Sequence, residues 1–476
     1  MSKQSVSNNT QLSFEFKGLE KRRVISDFSG GSITSDGGGL LLREVDLKLR
    51  ICDRIAGCFS DHREQNRVDH SVQELLRQRI YAIALGYEDL NDHDELRCDP
   101  GYAAIVGKPD PTGQDRIRDR DRGYALAGSS TLNRLELSSE EGGESHRYRK
   151  IVGEFSEIEE LITDLSLEQM ALEGTPPMIF IDADATDDPL HGRQEGRFFH
   201  GYYDSYCYLP LYIFCGDYLL CAKLRPSKID ACAGVIDELK RIIPRIREKL
   251  PGVKIVFRGD SGFCREEILS WLQDEAKIKY VIGMAKNNRL LKKISAELEE
   301  AERIYAEEGK PCRIFKGFYY MTKSSWSRFR RVVGKAEHLE KGSNPRFVVT
   351  NLVMPEYTPQ RVYEDMYCPR GEMENRIKEQ QLCLFADRTS THWLRSNQLR
   401  VWLSSLAYIL VNAMRSFALK GTGMARARCD SIRLKLFKIG ALVKISVRRV
   451  YLTMSSGYPY KAIFERAYLN LQMLRV

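Results

Sequence analysis

MIFIDADAT, residues 178–186, is where the texture of the chain changes. The stretch is apolar enough for a buried strand, yet Asp182 and Asp184 interrupt it two residues apart. Strand side chains alternate between faces, so both carboxylates point the same way. Among Ile179, Ile181 and Ala183 such acids need partners, because burying an unpaired charge is costly. Downstream, YCYLPLYIFC and YLLCAKL read as two more strands joined at Gly216-Asp217, a hairpin turn signal. SKIDACAGVIDELKRIIPRIREKL reads as a helix capped by Ser227 and kinked or divided at Pro244. VKIVF is a short continuous apolar run, as in buried parallel strands. CREEILSWLQDEA follows as a helix and KYVIGM as a strand. The order is three strands, helix, strand, helix, strand. It predicts an α/β sheet, with an antiparallel meander first and parallel neighbours reached by helical crossovers.

Upstream, residues 1–175 read as mostly helical. Val72, Leu75, Leu76, Ile80 and Ile83 recur at helical spacing in HSVQELLRQRIYAIALG, which should end near Gly86. SSTLNRLE, residues 129–136, has the composition of a helix opening, with Ser129 or Ser130 as cap, and is a candidate for direct DNA contact. Residues 176–290 hold the first part of the core. A charged helix (LLKKISAELEEAERIYAEE) and an aromatic, basic stretch (RIFKGFYYMTKSSWSRFRRVV) then read as an insertion over 291–345. RFVVTNLV returns to strand character and opens the second core part, 346–420. Residues 421–476 form a basic end.

Charge is unevenly placed. The chain of 476 residues carries a net +8, but residues 388–476 hold sixteen Lys or Arg against Asp430 and Glu465. That end is +14, which leaves −6 on the first 387 residues. A concentrated basic region suggests a polyanion, most often nucleic acid. The opening MSKQSVSNNTQLSFEF has no apolar signal core. VWLSSLAYILVNAM is short for a bilayer span and carries polar residues, so a buried helix is expected, with no membrane partner. The twelve cysteines include no CxxC pair and lie mostly in apolar runs, as reduced core thiols of a cytosolic protein would.

Three acids fall on separate elements. Asp182 or Asp184 lies on the first strand, and Asp260 follows VKIVF at a strand's carboxyl end, where open α/β sheets place ligands. In YCPRGEMENRIKEQ, helical steps of three, four and four align Tyr367, Arg370, Glu374 and Lys378. The same count puts Glu372 about 200° from Arg370, so Glu374 is the acid on that face. Three such carboxylates can hold one or two Mg²⁺, a hard cation that prefers oxygen, and a metal pair suits phosphodiester chemistry. IDADAT also resembles the nucleophile motif of haloacid-dehalogenase-like phosphatases, with Asp182 phosphorylated and Asp184 as acid/base. The later acidic motif of those enzymes lacks its second acid here, because Gly259-Asp260 is followed by SGFC.

With these residues in view, the chain resembles the DDE transposases of bacterial insertion sequences, within the class carrying a Tyr-Arg-Glu-Lys signature. The match is nearest to the insertion-sequence thirteen-eighty group. It rests on IDADATDDPLHGRQEG, FRGDSGFCREEIL and YCPRGEMENRIKEQ, supported by SDGGGLLLREVD, DRTSTHWLRSNQLRVWLSSLAYIL and IRLKLFKIGALVKISVRRV. The resemblance implies a ribonuclease-H-like core with a β-rich insertion before the Glu helix. It implies Asp184, followed after one residue by Thr, as the first catalytic acid, with Asp182 the close alternative. Asp260 and Glu374 would be the second and third. Tyr367 and Arg370 match the signature, and Arg370 is expected on DNA phosphate. The class places its lysine seven residues after the Glu, where this chain has Gln381, so Lys378 is the candidate.

The implied activity is cleavage at insertion-sequence ends and strand transfer into target DNA. The implied cofactor is two Mg²⁺ ions, with Mn²⁺ able to substitute. Double-stranded DNA and a second copy in a homodimer are the implied partners. Residues 1–175 would serve DNA binding and dimerisation. Candidate DNA contacts are Trp326, Arg328, Arg330 and Arg331 in the insertion. In the basic end, Arg433 with Lys435, and Lys444 with Arg448, would line two neighbouring strands as a phosphate track. A non-catalytic DNA-binding relative and a stand-alone nuclease of the same fold are the alternatives.

Overall fold

The computed structural model describes residues 13–137 and 148–475. A mixed sheet of nine strands forms its centre. Eight lie on one path: β1 (Met178–Ala185), β2 (Leu211–Cys215), β3 (Tyr218–Lys223), β4 (Lys254–Gly259), β5 (Lys279–Met284), β6 (Cys312–Tyr320), β7 (Arg330–Leu339) and β8 (Arg346–Thr350). Their spatial order is β3-β2-β1-β4-β5-β8-β7-β6. β1, β2 and β3 are antiparallel neighbours, whereas β4 runs parallel to β1 and β5 parallel to β4. This is the ribonuclease-H-like arrangement, with the first strand in the middle and helices on both faces.

The helical reading needs two corrections. The helix after β3 begins at Val235 and runs to Lys249, and its N-cap is Gly234 at φ 77°. Ser227 instead donates to the Phe198 carbonyl at 3.0 Å. Pro244 lies inside this helix without dividing it. The carbonyl that loses its partner belongs to exposed Lys240, where water can serve. Upstream, α1 (Val72–Leu85) has the predicted face. Ser71 and Glu74 close a capping box, and Gly86 ends the helix at φ 96°.

The stretch 291–345 also differs from expectation. β6 and β7 form a long hairpin, and β7 pairs with β8, which pairs with β5. The expected insertion therefore continues the central sheet as its far wing. A charged helix, α2 (Ser295–Glu308), packs on that wing.

The buried helix α3 (Leu394–Ala413) is the spine between the sheet and the N-terminal helices. With the turns that follow, Leu394–Ala418 is long and apolar enough to cross a membrane, but 89% of its apolar window is buried inside the protein. All twelve cysteines are free thiols.

Candidate active site

β1 and β4 end side by side because they are parallel, and each carries an acid at that end. Asp184 is the penultimate residue of β1, and Asp260 directly follows β4. Asp260 Oδ1 accepts from the Gly262 amide at 2.9 Å and caps the turn Ser261–Phe263. Asp184 Oδ2 accepts from Arg370 Nη1 at 3.0 Å. Burial pushes the Asp184 carboxyl above the usual carboxylate range; Arg370 opposes the shift and the like charge of Asp260 adds to it. Burial also works against the Arg370 charge, but Asp184 and the Tyr367 hydroxyl more than offset it, so its pKa is raised.

Tyr367 reaches this group through a gap in β5. A Cβ on Gly283 would stand 2.5 Å from the Tyr367 hydroxyl and 3.1 Å from the Ser261 amide. Glycine is therefore required there by close approach rather than by a turn. Burial raises the Tyr367 pKa, with Arg370 pulling it down and Asp260 pushing it up. A cavity of about 470 Å³ opens beside them, lined by Asp260, Lys286, Arg346, Tyr363 and Tyr367 among others.

Asp182 has a different task. Arg258, its cross-strand neighbour on β4, donates Nε and Nη2 to its two carboxylate oxygens at 2.5 and 2.7 Å. The third guanidinium nitrogen donates to the Met366 carbonyl at 3.0 Å. Both side chains are almost wholly buried. One bidentate pair thus ties β1, β4 and the segment carrying Tyr367 and Arg370 into one unit. An acid held this way is not free to act as a phosphatase nucleophile. Arg258 was missed in the sequence, although an arginine inside VKIVFRG demands a buried acid, and DAD demanded a buried cation.

The Tyr-Arg-Glu stretch is not one regular helix. Val362–Tyr367 is wide-wound, Cys368–Gly371 is a tight turn of 3₁₀ helix, and α-helix occupies Glu372–Lys378. The regular 100° step is interrupted across Pro369, yet Tyr367 still meets Arg370, and Arg370 meets Glu374 four residues on. Glu374 stands 4.0 Å from Arg370 Nη2 with its side chain 54% exposed. Glu372 lies near enough to Asp182 to help raise that carboxyl, behind the larger effect of burial. Lys378 is exposed. Gln381, at the class's lysine position, donates to the Asp187 carbonyl at 3.0 Å.

Hard carboxylate oxygens suit a divalent cation, and the guanidinium of Arg370 already neutralises Asp184 as a cation would. Among the described residues no three acidic, histidine or cysteine side chains converge closely enough to form a ready metal cage. The Arg370 guanidinium stands 3.0 Å from Asp184 and 4.0 Å from Glu374.

Half of the predicted DNA contacts, Trp326, Arg330, Arg331 and Arg433, are turned inward, which corrects the reading at those positions. Trp326 is buried edge-on against Tyr320. Arg330 donates to Glu266, Ser270, Gln273 and Tyr280, and Arg331 to the carbonyls of Leu352 and Tyr357. Arg328 stays half exposed but forms a bidentate pair with Asp274. Arg433–Phe437 is helical rather than a strand, and Arg433 donates to the carbonyls of Ile83, Ala84 and Cys383. Lys435 stands 5.3 Å over the Tyr460 ring. The real hairpin is β9 (Ala441–Ser446) with β10 (Arg449–Met454); there Lys444 is exposed and Arg448 sits in the turn.

Two acids thus stand at the ends of adjacent parallel strands of the ribonuclease-H-like sheet. A family model described as "Transposase DDE domain group 1" matches residues 16–476, and the chain belongs to that family of transposases. A comparison with curated proteins finds no match. Among solved structures, a piggyBac transposase synaptic complex with hairpin DNA, studied by cryo-EM, aligns at 11% identity and a TM-score of 0.33, over 54% of this chain. This chain spans about half of that one, 52% of its length.

Proposed function

We propose that this transposase is of the insertion-sequence type, cleaves a phosphodiester at the element's ends and joins the freed 3′-OH to target DNA. One observation carries the reading: Arg370, the arginine of the Tyr-Arg-Glu segment, bonds Asp184, which also feels the charge of Asp260 at the end of the neighbouring strand. Asp184, Asp260 and Glu374 would hold Mg²⁺, which supplies Lewis-acid activation of attacking and leaving oxygens when bound. Arg370, bonded to Asp184 here, would present its planar fork to a DNA phosphate beside these acids. Tyr367, whose raised pKa keeps its proton, donates toward the same phosphate. Arg258 and Asp182 fix the spacing of the two strand ends throughout. Pairing of two ends calls for a second copy of the chain.

The test is Asp260→Asn. Mg²⁺-dependent nicking of a duplex bearing the element's end should be abolished, with duplex binding retained. Persistent nicking at the wild-type rate removes Asp260 from the assignment. A wild-type protein that binds duplex DNA but never nicks it points to the non-catalytic relative.

A further inference from the structure

The N-terminal region holds a cleft of about 490 Å³ that the proposed chemistry does not use. Eight Arg or Lys side chains line it against three acids, Glu64, Asp69 and Asp121. Some of this charge is internally neutralised, as where Arg63 grips Asp61 through two nitrogens. Other cations are not. Among the described residues, Arg118 and Lys150 have no carboxylate within ion-pair distance. The Arg97 guanidinium stands 4.1 Å over the Tyr124 ring with its Nε donating to the Asp94 carbonyl, and Arg134 stands 5.9 Å over Tyr148. Stacking engages the face of a guanidinium and leaves N–H groups on its edge free to donate.

The floor of the cleft is built rather than incidental. Arg116 is 10% exposed, lies 3.9 Å from Asp69 and shares a hydrogen bond with the His70 ring. Its Nε is buried without a partner. Burial, then Arg116, Lys108 and Arg63, hold the His70 pKa down at about 2, so the ring is a neutral acceptor. The wall is the helix Ser129–Glu136, which contributes Ser130, Thr131 and Arg134. This is the helix singled out in the sequence for DNA contact.

We infer that this cleft binds the phosphodiester backbone of duplex DNA, through the edge N–H groups of Arg97, Arg118 and Arg134 and the ammonium of Lys150. Phosphate oxygens match such planar donors, and contacts of this kind position a duplex without reading its sequence. The inference rests on the transposase reading but concerns a separate surface.

Full-length protein in chelator, titrated with a fluorescently labelled random-sequence duplex, tests it. Arg118→Glu with Arg134→Glu should weaken binding tenfold or more. The slope of log affinity against log salt should fall by about 2, roughly one for each phosphate no longer engaged. Both residues are exposed, so the melting temperature should hold. Lys310→Glu with Lys341→Glu removes the same net charge elsewhere on the surface and should cost far less. Cleft and control variants that weaken binding equally overturn the inference, as does a cleft variant that binds like wild type. Polyglutamate bound as tightly as the duplex overturns it too. A wild-type protein that binds no duplex would overturn the transposase reading with it.

Discussion

The basic C-terminal region and the N-terminal cleft use the same residue types in opposite ways. Residues 388–476 carry a local +14, yet several of those cations face inward to acids contributed from upstream. Arg400 pairs with Glu136 at 2.7 Å, Lys438 with buried Asp36 at 2.7 Å, and Arg415 with Glu379 at 3.2 Å. Arg433 is taken up by three carbonyls at the end of α1 and near Cys383. The cleft lies in the stretch where the chain is net acidic, but its cations face a common space. A running charge count sees neighbours in sequence, whereas a field is set by neighbours in space. Part of the C-terminal charge, on Arg400, Arg415, Arg433 and Lys438, holds the fold together, whereas the cleft gathers its cations around one space.

The sharpest way to break this contrast is to remove a C-terminal cation. Arg415 and Glu379 are both almost fully buried. Taking away one member of such a pair strands the other, at a cost of about 3–5 kcal/mol. Arg415→Met should therefore lower the urea midpoint strongly, while any drop in DNA affinity should track the unfolded fraction. A folded Arg415→Met protein of normal stability that no longer binds DNA would make this arginine a DNA contact and erase the distinction.

The sequence was legible where one layer of chemistry decides the outcome. Alternation and turn signals carried the meander, and continuous apolar runs carried the parallel strands. The far wing was not legible, because membership of a sheet is settled by backbone pairing, to which side-chain pattern is nearly blind. Charged residues on β7, such as Lys335 and Glu337, are buried and paired with each other. In the site, the acids on the strand ends could be read, since strands have a fixed period of two. The Tyr-Arg-Glu segment could be read for residue types and for the neighbours of Arg370, but not for its winding, which changes twice within the stretch. Arg258 required reading DAD and FRGD together, a pairing across 76 residues.

A smaller effect tests the part of the C-terminal region that does face outward. Lys444 and Arg448 are exposed on the β9–β10 hairpin. If they touch a duplex, reversing both should weaken binding about tenfold and lower the salt slope by about 2. Together with the cleft variant, the two effects should then add in free energy, as for independent sites. Unchanged affinity would leave the cleft as the principal phosphate surface and the hairpin as solvated.

The smallest effect is a stability cost created by the cleft itself. His70 titrates near 6.5 in an unfolded chain but at about 2 in the fold, depressed by burial and then by Arg116, Lys108 and Arg63. Between those values the unfolded state binds the extra proton, so stability rises with pH across the window and falls as the medium is acidified below about 6.5. His70→Gln keeps an acceptor for Arg116 without a titrating ring. Comparing urea unfolding at pH 7 and 5.5, the wild type should lose about 1 kcal/mol more than the variant. No such difference would mean that His70 charges freely in the fold, and the cleft would then be less positive than its arginines imply. The Arg400–Glu136 pair carries no comparable cost between pH 7 and 5.5: burial raises the Glu136 carboxyl, but Arg79 and Arg400 outweigh it and hold the group below its ordinary range, so its contribution is lost only in more acid medium.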